Sequence, residues 1–239
     1  MTDVIAFIDA LSPRELRGVL HSWKQGEMDA GTPRVTPRVM SSIYTGLSPA
    51  ENGMMSVSKH GGADTTRPRR STIIDQCVRE GLSVVSMGMP FSIPFQSGNP
   101  QSVLHGDALG GQQQVVPEQA GQLVSVPAPT RDMIADHPDS VFASFHDHTY
   151  AYYNRFKETI RAVDPDVAFI GYRLVDSYCH FQHTEKREGR PYRQHLIQDV
   201  AHLLDRIESQ IDGDLIFFSD HGQTKLTDVF RINKWLEQN

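Results

Sequence analysis

Four short apolar runs, residues 4–8, 82–87, 167–174 and 215–219, limit the fold most strongly, because most of the chain between them repeats its apolar side chains every three or four positions. Runs of this length suit strands buried on both faces, and the intervening period is that of amphipathic helices. Strand alternating with helix implies an α/β fold: a mostly parallel central sheet with helices on both faces. Local signals agree. Ser12, Pro13 and Glu15 spell a capped helix start, followed by Leu16, Val19, Leu20 and Trp23 on one face. Ser71 reads as the cap of a second helix whose stripe is Ile73, Ile74, Cys77 and Val78, with Gly81 just past its end. A third helical pattern covers 150–163 and stops near Asp164-Pro165-Asp166. A fourth covers 191–211, with Tyr192, Leu196, Val200, Leu203, Leu204, Ile207 and Ile211 on its apolar side.

Residues 88–140 break this rhythm. They are rich in Gly, Pro, Gln and Ser and hold no sustained period. Two readings stand: an excursion that covers the sheet edge or lids a substrate, or a plain surface insertion. There is no internal repeat, so residues 1–239 read as one domain.

Composition removes several classes of function. With 23 Lys plus Arg against 29 Asp plus Glu, the chain carries a net charge of −6 and no basic stripe, which argues against a nucleic-acid-binding surface. The 38% apolar content is enough for a substantial core. Two isolated cysteines, Cys77 and Cys179, make neither a disulfide framework nor a cysteine zinc site. No stretch approaches the roughly 18 apolar residues of a membrane span, and the N-terminus lacks the features of a signal peptide. The expectation is a cytoplasmic protein with no membrane partner; its oligomeric state is not legible.

In open α/β sheets ligands bind beyond the carboxyl ends of the strands. The residues there are Asp9 after the first run, Asp176 and His180 after the third, and Asp220 and His221 after the fourth. Carboxylates crowded along one rim repel unless a cation sits among them, and a mixture of Asp and His suits zinc, manganese or iron better than magnesium alone. For any one of these residues a turn or cap role is the ordinary alternative. Thr36, followed by Pro37 and a short helix ending at Gly46, also has two readings: a structural N-cap, or a hydroxyl at a helix N-terminus where an incoming phosphate oxygen gains from unsatisfied N–H groups.

Three blocks carry a resemblance to a known family: Phe7-Ile8-Asp9-Ala10; Thr36 through Thr45-Gly46-Leu47-Ser48-Pro49 with Asn52-Gly53-Met54; and Asp176-Ser177-Tyr178-Cys179-His180 with Phe218-Ser219-Asp220-His221-Gly222. In this order and spacing the sequence resembles the type I phosphodiesterase/nucleotide pyrophosphatase branch of the alkaline phosphatase superfamily. The resemblance implies an alkaline phosphatase-like fold and two divalent metal ions, usually zinc, with other divalent ions in some members. It places one metal on Asp9, Thr36, Asp220 and His221, and the second on Asp176 and His180 plus a further histidine. It also implies a phosphodiester or pyrophosphate hydrolase with Thr36 as nucleophile, a covalent phosphothreonine, and a small phosphoester substrate such as a nucleotide.

The sequence departs from the family pattern at three places. Ala10 stands where a glycine commonly follows the first aspartate, and Asn52 where many members have a histidine that is not a ligand. No histidine follows His221, although the family's last ligand histidine comes well after that block. The expectation is that these residues are the N-terminal portion of a longer domain, with an incomplete second metal site. His146 and His148, read with strand-like alternation ahead of the helix at Tyr150, are the candidate substitutes; a polar turn explains them equally. His183 reads as a surface or supporting residue. Arg38, Lys59, His60 and Arg173 are candidate contacts to substrate oxygens, against a surface role for each. The competing functions are a phosphomonoesterase of the same superfamily, or a remnant that binds phosphoesters without turnover. A sulfatase is disfavoured, since no cysteine stands near Thr36.

Overall fold

The structure, a computed structural model, describes residues 1–20, 23–31, 35–54, 70–93, 95, 99–107, 113–124, 138–181, 186–187 and 190–223. In chain order these form β1 (Asp3–Ile8), α1 (Pro13–Val19), α2 (Thr36–Thr45), α3 (Pro49–Asn52), α4 (Ile73–Arg79), β2 (Val84–Pro90), β3 (Val103–Asp107) and β4 (Gln113–Val116). A 3-10 turn (Glu118–Ala120) leads into α5 (Gly121–Val124), α6 (Pro138–Val163), β5 (Val167–Tyr172) and α7 (Leu174–Phe181). A two-residue ladder, β6 (Lys186–Arg187) with β7 (Arg190–Pro191), precedes α8 (Tyr192–Glu208) and β8 (Leu215–Phe218).

The main sheet has six strands among the described residues, in the order β4-β3-β2-β5-β1-β8, and every pairing is parallel except β3 with β4. β1 lies between β5 and β8, with Ile8 opposite Tyr172 and Phe7 opposite Phe218. This register ends the three strands together, so the loops that follow them share one rim. Alternation along β1 sends Val4, Ala6 and Ile8 into a core under α6 and α8, while Phe7 joins Met40, Tyr44, Ile74 and Val78 under α2 and α4. Burial on both faces is why β1 reads as an unbroken apolar run.

The four expected strands are all present, but residues 88–140 are no mere covering. They supply β3 and β4, which extend the sheet; β4 runs antiparallel at its edge. Glycine and glutamine within these strands hide the period. At Gly106 an added Cβ would lie 1.9 Å from the Ser92 hydroxyl, so packing demands the residue that pattern reading takes for a breaker.

α6 also begins twelve residues before the expected start at Tyr150. Val141, Phe142 and Phe145 are buried on its first turns, and His146-Asp147-His148 lies inside the helix. At 100° per residue, His146 and His148 diverge by roughly 200°, which removes the strand-like alternation expected of them. His146 faces Asp199 at 3.9 Å, and His148 stacks on Tyr152 with ring centroids 6.0 Å apart.

Two caps shift by one residue. Thr72, not Ser71, heads α4, because Asp75 at the third helical position returns the bond: the Asp75 N–H donates to Thr72 Oγ1 and the Thr72 N–H to Asp75 Oδ2. Ile73 is correspondingly turned outward and exposed. In α2 the cap position falls on Val35, so Thr36 is the first helical residue and Pro37 the second. Gly46 closes this helix at φ 68°, its N–H bonded to the Ser42 carbonyl.

Candidate metal centre

Asp9 prolongs β1 by one residue: its N–H donates to the Tyr172 carbonyl at 2.8 Å, which holds its side chain at the rim. Ala10 then turns the chain at φ 65°, a left-handed conformation that glycine adopts without strain. The loop after β8 is tied to this turn. Ala10 N–H points at Asp220 Oδ1 at 3.5 Å, Leu11 N–H donates to Ser219 Oγ at 2.9 Å, and Ser219 Oγ donates to the His221 carbonyl at 3.1 Å.

Asp9, Asp220 and His221 each present a ligand atom within 4.8 Å of the others. His221 Nε2 lies 3.7 Å from Asp9 Oδ1 and 3.3 Å from Asp220 Oδ2. Its Nδ1 is 3.1 Å from the Gly222 carbonyl, which can only accept; with the proton on Nδ1, Nε2 is free to offer a lone pair to a cation in the cluster. Thr36 Oγ1 stands 3.0 Å from that Nε2. As the first residue of α2, Thr36 is released from capping, and its hydroxyl joins the cluster instead.

The electrostatics are those of a site short of positive charge. Burial raises the Asp9 pKa to about 9, aided by the charges of Asp220 and Asp176 and opposed by Arg173. Burial raises Asp220 too, with His221 and the Thr36 hydroxyl working against it. Asp9 Oδ1 and Asp220 Oδ2 are buried with no hydrogen-bond donor directed at them, a costly condition for carboxylate oxygens. Two orphaned oxygens, an imidazole lone pair and an alcohol form a donor set that fits one divalent cation of the zinc or manganese type.

Asp176, in the first turn of α7, lies outside the trio but close enough to raise Asp9, and it accepts a hydrogen bond from the Gln223 amide. His180 follows one helical turn later in α7; its side chain lies outside the described residues. Lys59, His60 and His183 also lie outside them. Arg38 packs its guanidinium beside Gly31. Arg173, by contrast, is part of the rim, with Nε 3.8 Å from Asp9 Oδ2. It also borders a cavity of about 830 Å³ lined by Gly88, His105, His148, Tyr152 and Tyr172. Asn52 is structural, since its side chain bonds Ser42, the Leu47 carbonyl and the Met54 N–H. Sequence reasoning missed Gln223 and Arg193. Neither sits in a recognisable motif, and Arg193 is hidden in the first turn of an otherwise amphipathic helix.

Residues 17–239 match the family described as type I phosphodiesterase / nucleotide pyrophosphatase. The chain belongs to that family. Its fold is shared with solved structures of two other proteins. The crystal structure of phosphonoacetate hydrolase from Sinorhizobium meliloti 1021, in complex with phosphonoacetate, superposes with a TM-score of 0.60 at 14% identity, covering 98% of this chain and 61% of that one. A 2-O GAG sulfatase superposes with a TM-score of 0.52 at 12% identity, covering 96% and 61%. At such identities the likeness is one of fold, and this chain spans about 61% of each neighbour. No curated protein matches it significantly in sequence. As a type I phosphodiesterase/nucleotide pyrophosphatase family member, the chain comes from a family of phosphodiester hydrolases, and its described residues hold one candidate metal-binding group.

Proposed function

We propose that this chain hydrolyses phosphodiesters or pyrophosphates of small molecules, nucleotides among them, with Thr36 as nucleophile and two divalent cations, zinc by preference. The observation that carries the reading is the position of Thr36 Oγ1, 3.0 Å from His221 Nε2 and beside two buried carboxylates. Asp9, Thr36, Asp220 and His221 would hold the first cation, and Asp176 and His180 part of the second. Bound there, the cations would supply positive charge that lowers the pKa of the threonine hydroxyl and offsets charge on the phosphoryl oxygens.

The chain's own residues define the rest. The start of α2 sets the Thr36 hydroxyl beside His221 Nε2, where an arriving phosphoryl group would meet it. The Thr36 oxygen forms a bond to phosphorus while the bond to the leaving oxygen breaks in line, and the departing alcohol or phosphate takes up a proton. Water then attacks phosphorus from the opposite side and returns Thr36 to its hydroxyl form. Arg173 would pair with a phosphoryl oxygen, a role supported by its position at the rim, with Nε 3.8 Å from Asp9 Oδ2. The cavity it borders would receive the organic part of the substrate.

The test compares p-nitrophenyl thymidine monophosphate with p-nitrophenyl phosphate, with zinc or manganese added, for the chain and for Thr36→Ala. Faster turnover of the diester that vanishes in the variant supports the reading. Equal rates in both proteins remove Thr36 from it, and faster turnover of the monoester makes the chain a phosphomonoesterase. Metal stoichiometry separates an enzyme from a silent phosphoester-binding remnant: close to two ions per chain for the first, one or none for the second.

A further inference from the structure

We propose that Arg193 is the positioning residue that holds the ligand-bearing segments of the centre in register; this rests on the metal-centre reading above. Arg193 is the second residue of α8, and its side chain is only 16% exposed. Its guanidinium reaches four separate segments. Nε and Nη2 form a fork onto the Glu15 carboxylate at 2.7 and 3.1 Å. Nη2 also donates to the Ala10 carbonyl, and Nη1 donates to Cys179 Sγ and, at 3.4 Å, to Gln223 Oε1.

Each of these partners adjoins a residue assigned to the cations or anchors the fork. Ala10 follows Asp9 in the strained turn. Gln223 lies two residues past His221 and passes the contact on, through its amide, to Asp176. Cys179 immediately precedes His180 in α7. Glu15 is the anchor: the Ser12 N–H and hydroxyl donate to it as well, at 2.9 and 2.8 Å, so the carboxylate is fixed to the start of α1. One planar, permanently charged group thus sets the spacing between the turns after β1 and β8 and the helix after β5. A lysine, with one nitrogen on a flexible stem, cannot reach four segments at once.

A merely structural role would weaken the fold without changing how well the centre accepts a cation. The decisive readout is therefore zinc or manganese affinity, measured by calorimetry on folded protein together with thermal stability in chelator. The proteins are the wild type, Arg193→Lys, Arg193→Met and Thr72→Ala, the last a destabilised control in the capping box of α4. Groups that orient metal ligands change affinity about 10- to 100-fold when removed. Arg193→Met should fall in that range, Arg193→Lys should recover part of the loss, and Thr72→Ala should bind as the wild type does. Should the Met variant not fold, the Lys variant alone, weakened about tenfold, supports the proposal in its place. Folded Arg193 variants that bind within threefold of the wild type would overturn the proposal and leave the metal centre standing. A wild type that binds no divalent cation would overturn the metal centre itself, and the proposal with it.

Discussion

Replacing Asp9 by Asn should make the cation-free protein more stable, although it removes a buried carboxyl group at the centre of the fold. The folded state holds Asp9 at a pKa of about 9 against an ordinary value of 3.8, chiefly through burial and then through the charges of Asp220 and Asp176. Between those two values the folded chain keeps a proton that the unfolded chain has released, so stability falls as pH rises through the window. At about 1.4 kcal/mol per pH unit, the interval from 3.8 to pH 7 is worth on the order of 4 kcal/mol, and the interval to pH 5 less than half of that. Asparagine never ionises, keeps the shape, and can donate to Asp220. Urea unfolding in chelator at pH 5, 7 and 8.5 should therefore show the variant ahead of the wild type by a margin that grows with pH. Added zinc should close most of that gap at pH 7, because a ligand present at a thousand times its Kd stabilises the chain that binds it by about 4 kcal/mol, and the variant has lost a ligand. If the two proteins unfold alike at pH 8.5 without metal, or their difference ignores pH, Asp9 does not stand in the electrostatic environment described.

Other consequences follow from backbone and packing. Ala10 sits at φ 65°, where an L-residue loses roughly 1–2 kcal/mol and glycine only its extra unfolded-state freedom, so Ala10→Gly should gain about 0.5–1 kcal/mol; a lower urea midpoint would contradict the left-handed turn. At Gly88 an added Cβ would lie 2.1 Å from the Tyr152 hydroxyl at φ +63°, so Gly88→Ala should lose about 3 kcal/mol or more. Tyr152→Phe in that background should restore part of the loss, and strict additivity of the two changes would argue against the contact. Thr72→Ala removes a fully buried capping box and should lower stability by about 1–2 kcal/mol, read as a shift of the urea midpoint; no shift would mean that α4 is capped otherwise.

The strands were legible where burial on both sides of the sheet demanded continuous apolar runs, as at β1 and β5. They were hidden at β3 and β4, where Gly106 is required by a close hydroxyl and Gln113 and Gln114 occupy an edge. The start of α6 escaped notice because the polar group His146-Asp147-His148 interrupts its stripe, although Val141, Phe142 and Phe145 lie beneath. At the centre, Asp9, Asp220 and His221 could be nominated from their places after strands. Thr36 reads from the sequence as a cap, and only the folded chain places Val35 in the cap position and Thr36 at the first helical residue of α2.

From the order of residues alone came the α/β alternation, the helix signals and the choice of side chains able to hold a cation, because these depend on neighbours a few positions apart. Only the folded chain decided which carboxylate oxygens lose every donor, how far the Asp9 charge is resisted, and that Arg193 ties α8 to residues on four segments. Desolvation and Coulomb energy depend on distance through space, and residue 36 meets 221, and residue 193 meets 223, only when the sheet aligns its strand ends and the helices close over it.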